Sequence, residues 1–299
     1  FFGHRPGAWR ATMAVAGALL AGPAAAQDRA DMDRTQIIGN RVSFTRDAIY
    51  VDVSHHALFR ANRMHHSRYG THYMNSYYNV WEGNDSYHNR GGLALMEVRN
   101  QIVRNNRAWG NSDHGIMLRT IQDTLVENNV VHHTKFAPFN IHFAKEVTVR
   151  NNIFALGKLE QLSRGRAEPH KSVFFENNIV YWREGELLSK NWKDVPYTFH
   201  AHPKDKSGTQ TLTDTFEFDW NVSFNPAQAR AEVRWAGGTW AEWQQRGKDR
   251  HSQYADPLFA NPEEGDFTLR PESPALALGF QPIDLGQVGP RIKTGPNPE

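Results

Sequence analysis

The sequence predicts an all-β fold, a single right-handed parallel β-helix, because three regularities run along most of the chain. An asparagine recurs every 22 residues at first, as from Asn40 to Asn62, and every 26 residues at the end, from Asn152 to Asn178. Each interval contains short apolar runs, such as QIVRNN, TLVENN and VTVRNN, separated by polar turns. The leading run of each interval opens on Gly, Ala or Pro. The recurring residues are Asn40, Asn62, Asn84, Asn106, Asn129, Asn152 and Asn178.

This period predicts how the chain winds. A repeat in the low twenties, kept over seven units, is typical of stacked supersecondary units rather than of one globular core. Two or three short strands complete each coil, so equivalent residues of successive coils come into register. We therefore expect the asparagines to be structural, with side chains that stack and bond neighbouring coils.

The N-terminal segment has the features of a secretory signal peptide. Arg5 and Arg10 precede an apolar stretch from Met13 to Leu20, and small residues follow as far as Ala26. A basic region, a short apolar region and a small-residue cleavage site form this kind of signal. The apolar stretch is too short to span a membrane. We expect residues 1–26 to be removed and the mature protein to be periplasmic or secreted, without an integral membrane segment.

Composition limits the partners and the metal sites that are possible. The formal net charge is +2 over 299 residues, which gives no reason to expect nucleic acid as a partner. Cysteine is absent, so any metal must be bound by His, Met, carboxylate or backbone groups. Aromatic residues make up 12% of the chain, a content common where sugar rings stack, although packing explains most of it.

One strand of each coil can be aligned on the small residue that opens it. The aligned quartets are residues 49–52, 71–74, 93–96, 116–119 and 139–142. Side chains alternate sides along a strand, so the first and third residue of each quartet are predicted to face the interior. The second and fourth residues then form two outward columns with about 4.8 Å between neighbours. These columns are Tyr50, His72, Ala94, Met117, Asn140 and Asp52, Met74, Met96, Arg119, His142.

The pattern loosens after the last repeat, and the remaining chain is predicted to close the solenoid. We expect the β-helix to occupy residues 27–232 and a capping segment to occupy residues 233–299. Within the cap, residues 239–247 (TWAEWQQRG) are typical of a short helix with a Thr cap and a Gly stop. Trp240 and Trp243 lie on one side of that helix and are predicted to be core contacts.

Residues from about 46 to 131 resemble NosD, a periplasmic copper-associated accessory protein of nitrous-oxide reductase. The stretches that carry the resemblance are DAIYVD, RYGTHYM, GLALM, QIVRNN and DHGIML, in the family's order and spacing. RYGTHYM and GLALM are the more specific of these motifs. The resemblance implies a copper-binding accessory protein whose partners are nitrous-oxide reductase maturation factors.

Residues from about 125 to 292 resemble a different group, the secreted right-handed β-helix proteins of polysaccharide-degrading bacteria. The matching segments are NNIFALGKLEQLSRGRAEPH, NNIVYWREGELLSKNW, WAEWQQRGKDRHS with ADPLF, and FTLRPESPALALGF. This resemblance covers more of the chain and includes the cap. It implies a glycoside hydrolase or a polysaccharide lyase that acts on a polysaccharide or oligosaccharide.

The outward columns contain one set of soft metal ligands. His72 and Met117 belong to the first column, and Met74 and Met96 are neighbours in the second. Imidazole and thioether groups suit Cu(I). Methionine also fills gaps in ordinary packing, and a register error of one residue would turn the column inward. A copper site formed by these four residues is one hypothesis, and the sequence makes no prediction about calcium.

A second set of residues suits proton abstraction from an acidic sugar. A lyase needs a base for the proton α to a uronate carboxylate and a cation that stabilises the resulting enolate. His142 or His170 with Arg164 or Arg166 would supply these groups. Arg119 precedes His142 in the same outward column, and Arg164 is predicted to continue the columns downstream.

A third set suits hydrolysis of a glycosidic bond. A glycosidase needs two carboxyl groups on either side of that bond, about 5 to 9 Å apart. Glu168 and Glu186 are the best pair by position, and Glu186 is also expected on the outward face. The segment RGRAEPH at residues 164–170 can alternatively be a charged turn held by its own ion pairs.

The leading hypothesis is a secreted protein that acts without a cofactor on an extended acidic polysaccharide, as a hydrolase or lyase. The alternatives are a NosD-like copper-binding accessory protein and a glycan-binding solenoid without catalysis, since this fold class hosts many tasks. The tandem pairs His55–His56, His65–His66 and His132–His133 are expected to lie in turns, with most of their side chains facing solvent, and not to join one ligand set easily. Adjacent residues on a strand face opposite sides, which is the basis of that expectation.

Overall fold

Three long parallel sheets wind around a common interior, with eight strands in sheet A, nine in sheet B and seven in sheet C. The structure is a computed structural model that describes residues 34–168, 170–193, 195–198, 209–212, 214–284 and 286. The predicted signal peptide, residues 1–26, lies outside the described residues. The predicted fold class, an all-β parallel solenoid, is confirmed.

Each coil contributes one short strand to sheet A, one to sheet B and one, usually longer, to sheet C. The strands of the regular coils are β1 (Gln36–Ile38), β2 (Arg41–Ser43), β3 (Asp47–Asp52), β4 (Leu58–Arg60), β5 (Arg63–His65), β6 (Tyr69–Met74), β7 (Val80–Glu82), β8 (Asp85–Tyr87), β9 (Gly91–Arg99), β10 (Ile102–Arg104), β11 (Arg107–Trp109), β12 (His114–Gln122), β13 (Leu125–Glu127), β14 (Val130–His132), β15 (Ala137–His142), β16 (Val147–Arg150), β17 (Ile153–Ala155), β18 (Glu160–Arg164), β19 (Val173–Glu176), β20 (Ile179–Tyr181) and β21 (Glu186–Leu188). Every third strand belongs to the same sheet.

The later strands finish the solenoid and add two hairpins. They are β22 (Val195–Thr198), β23 (Thr209–Leu212), β24 (Glu217–Asp219), β25 (Val222–Phe224), β26 (Gln253–Tyr254), β27 (Phe259–Asn261) and β28 (Asp266–Leu269). Strand β24 is the last in sheet A, and β25 and β26 are the last in sheet B. The pairs β22–β23 and β27–β28 are antiparallel.

The recurring asparagines form a hydrogen-bonded ladder between sheet A and sheet B. Asn106 Oδ1 accepts from the backbone N and from Nδ2 of Asn84, both at 2.9 Å. Asn106 Nδ2 donates to the carbonyl of Trp81 at 2.9 Å and to Asn129 Oδ1 at 3.0 Å. The same contacts repeat along the solenoid, so each buried asparagine satisfies backbone groups that would otherwise lack partners.

The residue before each ladder asparagine turns the chain. Its backbone is left-handed, with φ of 54° at Asn105, 55° at Asn128, 52° at Asn151 and 52° at Asn177. Asparagine tolerates this region better than most residues because its short polar side chain bonds locally. The doubled asparagine in QIVRNN, TLVENN and VTVRNN therefore has two functions, since the first makes the turn and the second extends the ladder.

The alternation predicted for sheet C is confirmed. Parallel pairing places Tyr50, His72, Ala94, Met117 and Asn140 in one outward column. The second outward column is Asp52, Met74, Met96, Arg119 and His142. The first and third residues of the quartets lie in the interior and are at most 2% exposed.

The C-terminal segment closes the far end of the interior. Helix α1 (Trp240–Gln245) begins with a capping box between Thr239 and Glu242, as its sequence predicts. Trp243 is buried in the core, and its Nε1 donates to Asp249 Oδ2 at 2.7 Å. Asp249 Oδ1 in turn accepts from Asn221 Nδ2 at 3.0 Å, which ends the asparagine ladder on a carboxylate.

The chain then turns back along the outer face of sheet B. Phe259 and Phe267 of the β27–β28 hairpin, with Ala275 of helix α2 (Pro274–Ala277), pack on apolar residues of this face, among them Ile153 and Ile179. The later coils of sheet B are therefore covered. No helix in the described ranges is long and apolar enough to cross a membrane.

Candidate functional site

The outer face of sheet C carries the two predicted columns, and its C-terminal end gathers most of the charged candidates. In the second column, Arg119 is directly paired with His142 of the neighbouring strand. The turn after β18 then brings Arg166 and Glu168 to the same place. Three of the other six residues predicted for catalysis, Arg119, Arg166 and Glu168, therefore lie around the His142 ring.

Close packing fixes the His142 ring. It stacks on Phe143 with centroids 4.2 Å apart and an interplanar angle of 8°. The Arg166 guanidinium lies over the same Phe143 ring, 4.0 Å from its centroid. A Cβ atom on Gly165 would lie 2.7 Å from the imidazole, so glycine is needed at this position for the ring to occupy its place. The imidazole is thus held between an aromatic ring and the backbone of the next coil.

The surroundings of His142 favour its neutral form. Partial burial lowers its pKa below the ordinary value of 6.5, and the positive charges of Arg119 and Arg166 lower it further. The Glu168 carboxylate acts in the opposite direction but more weakly. Glu168 is buried and forms an ion pair with Arg166. A neutral imidazole between two guanidinium groups can accept a proton next to a bound anion.

The prediction that Arg164 faces outward is wrong. Ser163 continues the first outward column opposite Asn140, so the next residue along β18 must face the interior. Arg164 is 2% exposed, and its guanidinium lies against the rings of Trp192 and Phe216 at 5.3 and 5.2 Å. Its Nη2 donates to Thr215 Oγ1 at 3.0 Å. Arg164 is therefore a core residue and cannot contact a surface ligand.

His170 also lies apart from the other residues of the predicted catalytic set. Its Nε2 lies 3.1 Å from the carbonyl oxygen of Ala144, in the turn that leads back to sheet A. This contact ties the imidazole to the backbone of the preceding coil. His142 is therefore the histidine that lies near Arg119 and Arg166 on the sheet C face.

The predicted carboxyl pair of Glu168 and Glu186 does not form. Glu186 begins β21 and pairs with Glu160, at the end of the strands opposite to His142. Along β15, the position level with Glu186 and the position of His142 are five residues apart, or roughly 16 Å. This distance exceeds the separation of about 5 to 9.5 Å between the two carboxyl groups of a glycosidase. The partner of Glu186 is Glu160, a pairing that the repeat does not indicate because it lengthens to 26 residues at this coil.

Glu160 and Glu186 form a close pair of carboxyl groups. Burial raises the pKa of Glu160, and the charge of Glu186 raises it further. Within the described part of the chain, Glu160 Oε2 is buried without a hydrogen-bond partner. This pair has the spacing of adjacent strands, about 4.8 Å, and the positive charge of Lys190 acts on Glu160 in the opposite direction to Glu186.

The candidate copper ligands lie at the other end of the same face. Met74 and Met96 are directly paired, and His72 and Met117 are two strands apart in the first column. Ala94 lies between His72 and Met117 and is fully buried although it faces outward, so larger side chains of the face cover it. All four candidate ligands are partly buried on the outer face.

An aspartate outside the predicted site, Asp47, orients His72. Asp47 Oδ2 lies 3.2 Å from His72 Nδ1. Arg68 holds the same carboxylate with two hydrogen bonds, from Nε at 2.9 Å and from Nη2 at 2.7 Å. A carboxylate on Nδ1 leaves Nε2 of the imidazole as the free nitrogen. Across the described residues, no three His, Cys, Asp or Glu side chains form a metal-binding group, so a metal here would need the thioethers.

The tandem histidines do not face opposite sides, contrary to expectation. His65 Nδ1 lies 2.7 Å from His66 Nδ1, and His132 Nδ1 lies 2.6 Å from His133 Nδ1. The second histidine of each pair has a left-handed backbone, with φ of 54° at His66 and 53° at His133. This conformation turns both side chains to the outside of sheet B, and an alternation rule for strands does not apply at such a turn.

Residues 26–163 match the NosD family. The family is described as periplasmic copper-binding protein (NosD), and the match covers slightly less than half of the chain. It includes every candidate copper ligand and, of the His142 cluster, Arg119 and His142, and it bears out the resemblance predicted for the first coils. No curated protein matches this chain.

Solved structures that match this chain include two parallel β-helix proteins. The periplasmic alginate epimerase AlgG matches with a TM-score of 0.46 and 13% identity over 64% of this chain. The Azotobacter vinelandii mannuronan C-5 epimerase AlgE4 A-module matches with a TM-score of 0.45 and 11% identity over 75% of this chain. This chain covers 44% and 58% of their lengths, and similarity at this level says nothing about its activity.

Proposed function

We propose that this protein acts on an acidic extracellular polysaccharide by removing the proton α to a uronate carboxylate, with His142 as the base. The observation that carries the proposal is the position of the His142 imidazole between Arg119 and Arg166, where its pKa is lowered. The outer face of sheet C supports the binding of an extended polymer, because stacked repeats form an extended, continuous surface.

The proposed step is a β-elimination. The free nitrogen of His142 takes the C5 proton of a uronate unit, and the electron pair of that C–H bond moves toward the carboxylate as an enolate. The C4–O4 bond then breaks and the C4–C5 double bond forms. The proton on the imidazole returns to the leaving oxygen, so the step needs no oxidant, reductant or cofactor.

The two arginines act together in this step. Arg119 and Arg166 neutralise the uronate carboxylate, which makes the α proton more acidic, and they stabilise the charge that develops in the enolate. Glu168 is a positioning residue, because it holds the Arg166 guanidinium. The aromatic ring of Phe143 fixes both Arg166 and His142 in place.

A panel of uronate and neutral polysaccharides tests the proposal. The expected product is an unsaturated uronate end, detected by its ultraviolet absorbance, from acidic polymers only. His142→Ala should abolish this product, and Glu160→Gln is the matched control that should leave it unchanged. Hydrolytic products that disappear in Glu160→Gln would instead assign the reaction to the Glu160–Glu186 pair, and the absence of any product would contradict an enzymatic function.

A second candidate function is copper binding, which the NosD match favours. His72, with its Nδ1 directed at Asp47, and the adjacent pair Met74 and Met96 would hold Cu(I), with Met117 across Ala94. Imidazole and thioether groups are the donors that suit this ion. Under this function the protein delivers or stores copper for nitrous-oxide reductase maturation in the periplasm.

A competition titration with a Cu(I) chelator tests the second candidate. Replacing Met74 and Met96 together by Ala should weaken Cu(I) binding by more than tenfold if both thioethers are ligands. Replacing Met64 by Leu is the matched control, because this methionine is buried in the interior and cannot bind surface copper. Equal affinity in the double variant and in the parent would remove this candidate.

A further inference from the structure

We propose that Tyr50, Tyr69 and His72 form a distal sugar-binding subsite at the opposite end of the sheet C face from His142. This inference rests on the proposed polysaccharide function and adds a second contact with the same polymer. The subsite would bind a sugar ring several units away from the reacting uronate and so set the minimum length of a good substrate.

Aromatic side chains surround His72 at this position. The Tyr50 ring lies edge-on to the imidazole with centroids 5.2 Å apart, and the Tyr69 ring lies 5.3 Å away at a tilt of 44°. Tyr50 is 47% exposed, the most accessible aromatic ring of the outward columns. Tyrosine combines an apolar ring face with a polar tip, which suits the face and the hydroxyl groups of a sugar.

A network beneath the rings holds His72 in one orientation. Asp47 engages its Nδ1, and the two hydrogen bonds from Arg68 prevent the carboxylate from rotating away. The Arg68 guanidinium also lies over the Tyr69 ring, 4.9 Å from its centroid. His72 thus presents Nε2 as a fixed hydrogen-bonding group, while the charge of Asp47 is compensated by Arg68. The subsite therefore offers a ring face and one polar contact without a net negative charge.

The subsite and the His142 cluster belong to one continuous surface. Tyr50 and Asn140 are four strands apart in the first column, which corresponds to roughly 19 Å. Asn140 precedes His142 by two residues on β15. Between the two ends, Ala94 is the smallest residue of the column and its side chain is fully covered, so it does not project into the path of a chain that joins the two ends. A ligand shorter than this span can occupy only one end.

Binding of oligosaccharides of graded length tests the inference. Oligogalacturonate and oligomannuronate series, from the disaccharide to the octasaccharide, are titrated into the His142→Ala protein, in which the substrate is not consumed. Adding Tyr50→Ala should weaken the long oligomers on the order of tenfold and leave the disaccharides unchanged. Tyr50→Phe should retain full affinity because the ring face remains. Tyr78→Ala is the matched control, an exposed tyrosine that stacks on His56 in a turn.

The outcomes separate this inference from the proposed function. An equal effect of Tyr50→Ala on all lengths, or no effect on any, would overturn the distal subsite while leaving turnover at His142 intact. If no oligomer binds and none is converted, the proposed function itself fails. If no oligomer binds but Cu(I) does, and binding requires His72, this end of sheet C is a metal site and not a sugar subsite.

Discussion

The outer faces of sheets B and C are built on the same coils but differ in what their side chains contact. On sheet B, aromatic rings in register stack flat on one another, as in Tyr87 on Trp109 with centroids 4.7 Å apart and an angle of 13°. Their faces are therefore occupied by neighbours. On sheet C, unlike residues follow one another, and no such stack forms along His72, Ala94 and Met117.

In this solenoid, different outer faces contribute to stability and to function. In a column of similar residues the side chains contact one another, because each one packs on its counterpart one coil away. A column of dissimilar residues leaves polar and charged groups available for a ligand. The later coils of sheet B are also covered by the C-terminal hairpin.

The largest expected effect is the loss of activity in His142→Ala. General base catalysis contributes about 10² to 10⁴ in rate, so we expect turnover of the acidic polymer to fall by roughly 10³-fold. The ring stacks on Phe143 at a half-buried position, so the melting temperature should change little. Steady-state kinetics and thermal unfolding of the same sample check both parts. Activity within a factor of a few of the parent would exclude His142 as the base.

Two glycine substitutions compare the faces directly. In Gly165→Ala the new Cβ must displace the His142 ring, and a shift of that size typically costs about 10²-fold in rate. In Gly110→Ala the new Cβ meets the His88 ring at a φ of +61°, which should cost about 1 to 2 kcal/mol of stability. We expect Gly165→Ala to lose activity and to keep its stability. We expect Gly110→Ala to lose stability and to keep its activity. Equal effects of both on either quantity would contradict the separation.

Trp109→Ala removes the centre of the sheet B stack. Trp109 stacks on Tyr87, lies under the Arg107 guanidinium at 5.2 Å, and donates from Nε1 to Asp85 Oδ1 at 3.0 Å. We expect a loss of about 2 kcal/mol in the free energy of unfolding, because the residue is half-buried and leaves a gap in the stack. Denaturant unfolding measures this loss. Catalytic activity should be retained, and a parallel loss of activity would show that sheet B also serves the site.

Stability should depend on pH through His132. Burial lowers its pKa well below 6.5, and Arg107 and His133 lower it further, so the folded protein keeps this ring neutral. The unfolded chain binds a proton as pH falls through about 6.5, so stability present above that pH is lost below it, by up to about 1.4 kcal/mol per pH unit. His132→Gln should reduce this slope. His133 has a pKa shift in the same direction, so part of the slope should remain.

Much of the fold could be predicted from the sequence because the repeat is almost invariant. The period fixes which residues share a column, and alternation then assigns them to the interior or the surface, as for Met74 and Met96. Arg164 was misassigned because the parity of β18 depends on where that strand starts, and the opening residues of this coil do not match the earlier quartets. An error of one residue in the start of a strand is enough to assign a side chain to the wrong face.

The candidate site could be predicted only in part. Arg119 and His142 belong to regular coils and were placed correctly, whereas Glu160 and Glu186 are brought together by a coil that is longer than the others. The contact of His72 with Asp47 joins residues from two coils and is revealed only by the pairing register, although Asp47 lies in the motif DAIYVD and His72 in the motif RYGTHYM. The histidine pairs were misjudged because φ reverses sign at the second residue, which no alternation pattern encodes.

The most direct test follows the C5 proton of a uronate polymer by nuclear magnetic resonance in D₂O. With the parent protein, the C5 proton signal should disappear as His142 removes that proton, and with His142→Ala it should persist. This readout does not depend on which product forms. A C5 signal that stays constant with every acidic polymer, or one that disappears equally fast with His142→Ala, would contradict the assignment of the sheet C face to proton abstraction.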